Sequence, residues 1–189
     1  MAEWTREQIV DMVRNKESFA GAELASVDLS YSNLKGAKFK KADLSNAHLQ
    51  NANLEGADLS GANCENAFLF GSNLKHANLS GANLTGANLQ DTNLENVNLK
   101  GTNLKGLSLF GAQFDGADCE GADLSGAKLK RASLIGTNLR SANLSNAHLQ
   151  RAVLRDADLT NADFTGANLT NADLTGAKTR GAKLDQAIR

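Results

Sequence analysis

From Phe19 to Leu184 an apolar residue recurs at every fifth position without insertion or deletion, 34 positions filled by 27 Leu, four Phe, two Cys and Thr179. Two residues before each of these axial positions lies a small slot, Ala in 25 of the 33 cases from Ala22 to Ala182. Two residues after each lies a turn former, and all 17 glycines fall there, joined by seven Asn and two Asp. A period of five suits neither common element. On an α-helix five residues advance by about 500°, so the leucines would wander around the cylinder. On a flat strand an odd period throws alternate leucines to opposite sides. A bend in every repeat removes the conflict, because Gly and Asn tolerate the left-handed backbone that a tight turn requires. Each repeat is therefore predicted to be a short extended piece, with its axial and small side chains inward, followed by a corner.

The unit A-(D/N)-L-X-X, as in Ala57-Asp58-Leu59-Ser60-Gly61 and Ala162-Asp163-Phe164-Thr165-Gly166, resembles the pentapeptide-repeat family. That resemblance implies an all-β fold, a right-handed quadrilateral parallel β-helix in which four repeats make one square coil. The expected organisation is a capping helix over 1–16 and a repeat region over 17–189, about 8.5 coils, the two forming one domain. With coils stacked at about 4.8 Å the rod would be roughly 40 Å long. Leu would fill the axis in layers, Ala would let the backbone approach it, and Asn or Asp ahead of each Leu would point outward and form side-chain ladders.

The ends of a solenoid expose apolar coils unless they are covered. In Trp4-Thr5-Arg6-Glu7-Gln8-Ile9, Thr5 and Gln8 have the spacing of a capping box and Trp4 and Ile9 that of a hydrophobic staple. A helix is predicted from Arg6 to Arg14, with Ile9, Val10, Met12 and Val13 on one side as a lid for the first coil. At the other end Thr179 breaks the Leu column, and either Ile188 folds over the last coil or two copies meet there as a homodimer.

Composition narrows the function. The net charge of -1 gives no general reason to expect nucleic acid or an anionic membrane as partner. No run is long enough to cross a bilayer and the first residues lack a leader's apolar core, so a cytoplasmic protein is expected. Cys64 and Cys119 stand at axial positions and read as buried, reduced thiols. His48 and His148 share a side of the square but lie five coils apart, about 24 Å, too far for one metal or one proton transfer. The glycines occur singly, so no phosphate-cradling loop is formed, and no Ser or Thr has a His and carboxylate pair beside it. Neither an enzyme nor a cofactor is expected.

A non-catalytic function is expected on the four faces, each named here by one of its axial residues. Counting outward charges, the Leu24 face is net -4, the Leu29 face +3, the Leu34 face -2 and the Phe39 face +3. The resemblance implies one alternative, since some members of the family mimic a DNA duplex and bind DNA gyrase or topoisomerase through an acidic face. Duplex DNA carries a charge about every 1.7 Å, a density that Glu23, Asp43, Glu65, Asp123, Asp163 and Asp185 of the Leu24 face do not approach. The Leu29 face is more distinctive. The three Phe outside the axis, Phe68, Phe70 and Phe110, all fall in its outward slots, followed by Lys128, Lys130, Arg131 and Arg151. Exposed aromatics flanked by Arg favour protein binding, so these residues are the candidate docking site for an unknown protein partner. Finally, Thr92, Val97, Thr102 and Leu107 overfill four successive small slots, which is expected to widen or bend the rod there.

Overall fold

The structure, a computed structural model, describes residues 4–189; residues 1–3 of the expected cap segment lie outside the described residues. One helix, α1 (Arg6–Arg14), precedes a continuous series of bends and single parallel β-bridges. Each bridge joins a residue to the one twenty positions on, from Ser18–Lys38 to Asn168–Ile188, so four repeats make one coil of a parallel solenoid. Every fifth residue from Lys16 to Gly181 has a φ between 52° and 73°. The corner is thus left-handed in every repeat, including 17 positions held by residues other than Gly.

Hydrogen bonding explains why the repeat has the residues it has. In a regular repeat such as 57–61, the axial Leu59 N–H donates to Asn78 O of the next coil (2.8 Å) and the corner Gly61 N–H to Ser80 O (2.9 Å). The Asp58 N–H donates back to Ala37 O (2.9 Å), and the Ala62 N–H closes the corner on Leu59 O (3.0 Å). One N–H per repeat remains, that of Ser60, and it donates to Asp58 Oδ1 at 3.0 Å. This side-chain turn is the reason for Asn or Asp ahead of the axial residue. The outward ladders expected at these positions also form, as in Asn63 Nδ2 to Asp43 Oδ1 (3.0 Å) and Asn83 Nδ2 to Asn63 Oδ1 (3.0 Å).

The axis is dry. Axial residues from Phe19 to Leu169 are at most 4% exposed, and they form one core cluster with the small slots and with Ile9 and Val13 of α1. The capping box is made in both directions between Thr5 and Gln8. Trp4 meets the first axial ring, Phe19, edge-on at 5.9 Å, while Val10 and Met12 pack half-buried against the core. Arg6 ties the helix down by pairing with Asp28 at 2.6 Å and donating to Asp28 O.

At the C-terminal end Ile188 is 55% exposed and continues the outward column by its bridge to Asn168, so it does not fold over the coil. Leu174 and Leu184 are only half-buried there, and Thr179 is exposed.

The overfilled slots distort only part of the rod. Thr92 is accommodated by donating its hydroxyl to Leu69 O (3.0 Å), and the ladder beside Val97 is intact. Beside Thr102 and Leu107 it opens. Among the described residues, the amides of Gly81, Leu84, Gly86, Asn103 and Ser108 donate to no adjoining coil, and the bridge expected between Asn83 and Asn103 is missing. Ala82 and Ala87, which face Thr102 and Leu107, are 5% and 3% exposed against 0–2% for the other buried Ala slots. Thr102 also donates its hydroxyl, to Leu79 O at 3.3 Å, and branched Val97 and Thr137 keep their ladders, so the opening belongs to the two successive slots of Thr102 and Leu107, the latter the longest side chain placed in an Ala slot.

Candidate protein-docking face

Each outward side chain of the Leu29 face is placed by the repeat: one immediately before the axial residue, one immediately after, and one at the corner. The column before the axis runs Asp28, His48, Phe68, Asn88, Ser108, Lys128, His148, Asn168. Five of these eight lack an Asx side chain, and the amides of Gln50, Phe70, Phe110, Lys130 and Gln150 correspondingly form no side-chain turn bond among the described residues. The corresponding columns of the Leu24 and Phe39 faces keep Asp or Asn throughout their middle coils. The Leu34 column departs as well, at Gln113, Ser133 and Val153, so the local rule is broken most often, though not only, along the Leu29 column, where aromatic, imidazole and cationic side chains take its place.

The corners add a second departure. Arg131 and Arg151 adopt φ of 61° and 60°, and Tyr31 one of 59°, at positions where Gly would sit without strain. An L-residue in this conformation costs about 1 kcal/mol or somewhat more. Three of the bulky residues so placed thus lie on one face.

The aromatics are exposed, Phe68 and Phe70 at 41% and Phe110 at 36%. Phe68 stacks on His48 with centroids 4.9 Å apart, and the Arg131 guanidinium lies over the Phe110 ring at 5.9 Å. Phe110, Lys128 and Lys130 join Gln90, Ser108, His148 and Gln150 around a shallow cleft of about 470 Å³. The structure therefore brings Phe110, Lys128, Lys130 and Arg131 together. Arg151 is a corner of the following coil; Phe70 lies two coils before Phe110 and Phe68 three coils before Lys128 in the same columns. The sequence reading did not include His148 and Gln150; the missing Asx at position 148 was the signal that would have drawn them in.

On the other faces several cations pair with acids twenty residues away, as in Lys35–Glu55 (2.9 Å), Lys100–Glu120 (2.8 Å) and Lys183–Asp163 (2.7 Å), while Lys38, Lys40, Lys41 and Lys105 form no ion pair among the described residues. The hydrogen bond from Lys183, reinforced by those from Thr165, pulls the Asp163 carboxyl down to about 2. At the other end the hydrogen bonds from Ser30, helped by Arg6, hold Asp28 at about 2. Lys128, Lys130, Arg131 and Arg151 form no ion pair among the described residues. Burial pushes the Cys64 and Cys119 thiols up to about 12, leaving them unreactive core residues. Among the described residues no three His, Cys, Asp or Glu side chains stand together as metal ligands, and no helix is long and apolar enough to cross a membrane.

The family model described as pentapeptide repeats matches in eight copies, over residues 37–75, 69–106, 77–116, 108–146, 137–176 and 152–188. Among solved structures, HetL of the cyanobacterium Nostoc sp. strain PCC 7120, a pentapeptide repeat protein involved in heterocyst differentiation regulation, is 36% identical. The match covers 91% of this chain and 76% of that one, with a TM-score of 0.43. Rfr23 of the cyanobacterium Cyanothece 51142 is 25% identical over 75% of this chain and 90% of its own, TM-score 0.39. QnrB1, a plasmid-mediated fluoroquinolone resistance protein, is 21% identical over 85% and 83%, TM-score 0.45. No curated protein matches the sequence.

Proposed function

We propose that this chain, which belongs to the pentapeptide-repeat family, is a non-catalytic interaction rod that docks a partner protein on its Leu29 face. The rod is a right-handed quadrilateral β-helix of about eight and a half coils, rigid because each coil is hydrogen-bonded to the next, so it presents side chains at fixed intervals. The observation that carries the reading is the column His48, Phe68, Lys128, His148, where aromatic, imidazole and cationic groups stand in place of the side chain that makes the turn. Phe68, Phe70 and Phe110 supply the apolar anchors, and Lys128, Lys130, Arg131 and Arg151 the polar margin that an interface uses for orientation.

The test is a double substitution, Phe70→Ser with Phe110→Ser. Both side chains are outward, so the melting transition should stay within a few degrees of the parent while capture of the partner from lysate is lost. Unchanged capture would remove the reading. Docking of gyrase through the Leu24 face would instead show as inhibited supercoiling, sensitive to Asp123→Asn and Asp163→Asn; here supercoiling should be unaffected. A homodimer through the last coil is supported by the half-buried Leu174 and Leu184, which line an opening of about 410 Å³, and a monomeric mass at high concentration would exclude it.

A further inference from the structure

We infer that the segment bound on the Leu29 face is acidic: an extended stretch of the partner that sets carboxylates against Lys128, Lys130, Arg131 and Arg151 and an apolar side chain in the cleft beside Phe110. This rests on the docking reading above and gives the partner its chemistry.

Three observations carry it. The four cations, gathered within two coils, have no ion-pair partner among the described residues, whereas Lys35, Lys75, Lys100 and Lys183 on other faces each find an acid one coil away; Lys38, Lys40 and Lys41 of the Phe39 face are likewise unpaired. The Leu29 face itself carries only Asp28 and Asp91, both before the cationic stretch, and Asp28 is already engaged by Arg6. The cleft, lastly, is amphipathic: the Phe110 ring forms one wall, and Lys128, Lys130 and His148 line the rest. Arg131 and Arg151 occupy left-handed corners, so both are displayed outward from bends rather than along the strand line. From Phe70 to Gln150 the strip covers four coils, about 19 Å, the reach of roughly six extended residues. A nucleic acid would need a longer basic track and a series of stacking rings, whereas cations here are confined to two coils.

Fluorescence anisotropy with three labelled probes tests this: a synthetic peptide of about eight residues alternating Glu with Phe and Leu, the same peptide with every Glu replaced by Gln, and an oligothymidylate of about twelve nucleotides. The proteins are the parent, the triple variant Lys128→Gln, Lys130→Gln, Arg151→Gln, and a control triple on the Phe39 face, Lys38→Gln, Lys40→Gln, Lys41→Gln. The acidic peptide should bind the parent and the control alike, and bind the first triple variant about tenfold or more weakly, with a similar loss when salt rises from about 0.05 to about 0.5 M. The Gln peptide should bind at least about tenfold more weakly than the acidic one. Equal binding of the Glu and Gln peptides, no binding of either, equal loss in the control, or tighter binding of the oligothymidylate would each overturn the inference. These outcomes leave the docking reading to its own test, because that reading stands or falls on partner capture by the Phe70→Ser, Phe110→Ser variant.

Discussion

Leu107 is a core leucine whose removal should cost little, because it sits in a slot built for Ala. Leu107→Ala deletes three carbons, about 2.4 kcal/mol of transfer free energy at about 0.8 per methylene. At an ordinary core site the remaining cavity raises the cost to about 2 to 5 kcal/mol. Here the side chain also holds the coils apart, and five amides across the seam, Gly81, Leu84, Gly86, Asn103 and Ser108, lack their inter-coil acceptors. A backbone hydrogen bond contributes about 1 kcal/mol net. If the half of them nearest Leu107 close, roughly 2 to 3 kcal/mol returns, with Thr102 still keeping the rest open. Leu107→Ala should therefore change stability by less than about 1 kcal/mol, while Leu109→Ala, axial and fully buried two residues on, should lose at least about 2. Urea unfolding monitored by circular dichroism gives the difference, and hydrogen exchange resolves its origin. In the parent the five amides should exchange orders of magnitude faster than Leu79 and Leu104 amides, which are bonded across coils. In Leu107→Ala, Gly86 and Ser108 should become protected. Equal losses for the two variants, with the seam amides unchanged, would show that Leu107 is an ordinary core residue and the reasoning wrong.

Other expectations follow from the same geometry. Gly86→Ala should destabilise more than Gly101→Ala in thermal melts: both sit at positive φ, but a Cβ at Gly86 would collide with Asn66 Oδ1, whereas nothing lies within 4 Å at Gly101. Stability should be level above about pH 5 and fall between about pH 4 and pH 2, because Asp28 and Asp163 titrate at about 2 in the folded protein and at 3.8 when unfolded, so the unfolded chain takes up their protons first. Asp28→Asn with Asp163→Asn should flatten that decline. Iodoacetamide at pH 8 should leave Cys64 and Cys119 unmodified in the native protein and alkylate both in urea, as read by mass spectrometry.

The axis and the corners were legible in the sequence because every repeat makes the same demand: an apolar residue where the chain faces inward and a left-handed bend two residues later. The limits of α1 were equally plain, since Thr5 and Gln8 are local signals that need no tertiary context. What the pattern concealed was the reason for Asn and Asp. Outward ladders accounted for their direction, but the deciding bond runs to the N–H two residues on, which only an inventory of backbone donors reveals. That bond also gives the candidate face its clearest mark. The substitution of His48, Phe68, Ser108, Lys128 and His148 for Asx is visible in the sequence once the rule is known, yet without it only the three phenylalanines stood out. The overfilled coil was visible too, but not where it would yield: Thr92 and Thr102 both satisfy their hydroxyls, on Leu69 O and Leu79 O, and Val97 keeps its ladder, yet the seam beside Thr102 and Leu107 opens.

Face-resolved photocrosslinking addresses the docking surface most directly. A benzophenone amino acid would be placed at Phe70 and Phe110, and for comparison at Thr85 on the Leu24 face, Lys100 on the Phe39 face and Arg155 on the Leu34 face, all exposed. Irradiated in the native cell, the probes at 70 and 110 should yield the same discrete covalent adduct, and those at 85, 100 and 155 should not. Adducts of equal yield from all four faces, or a specific adduct from Thr85 with none from 70 or 110, would place the partner elsewhere.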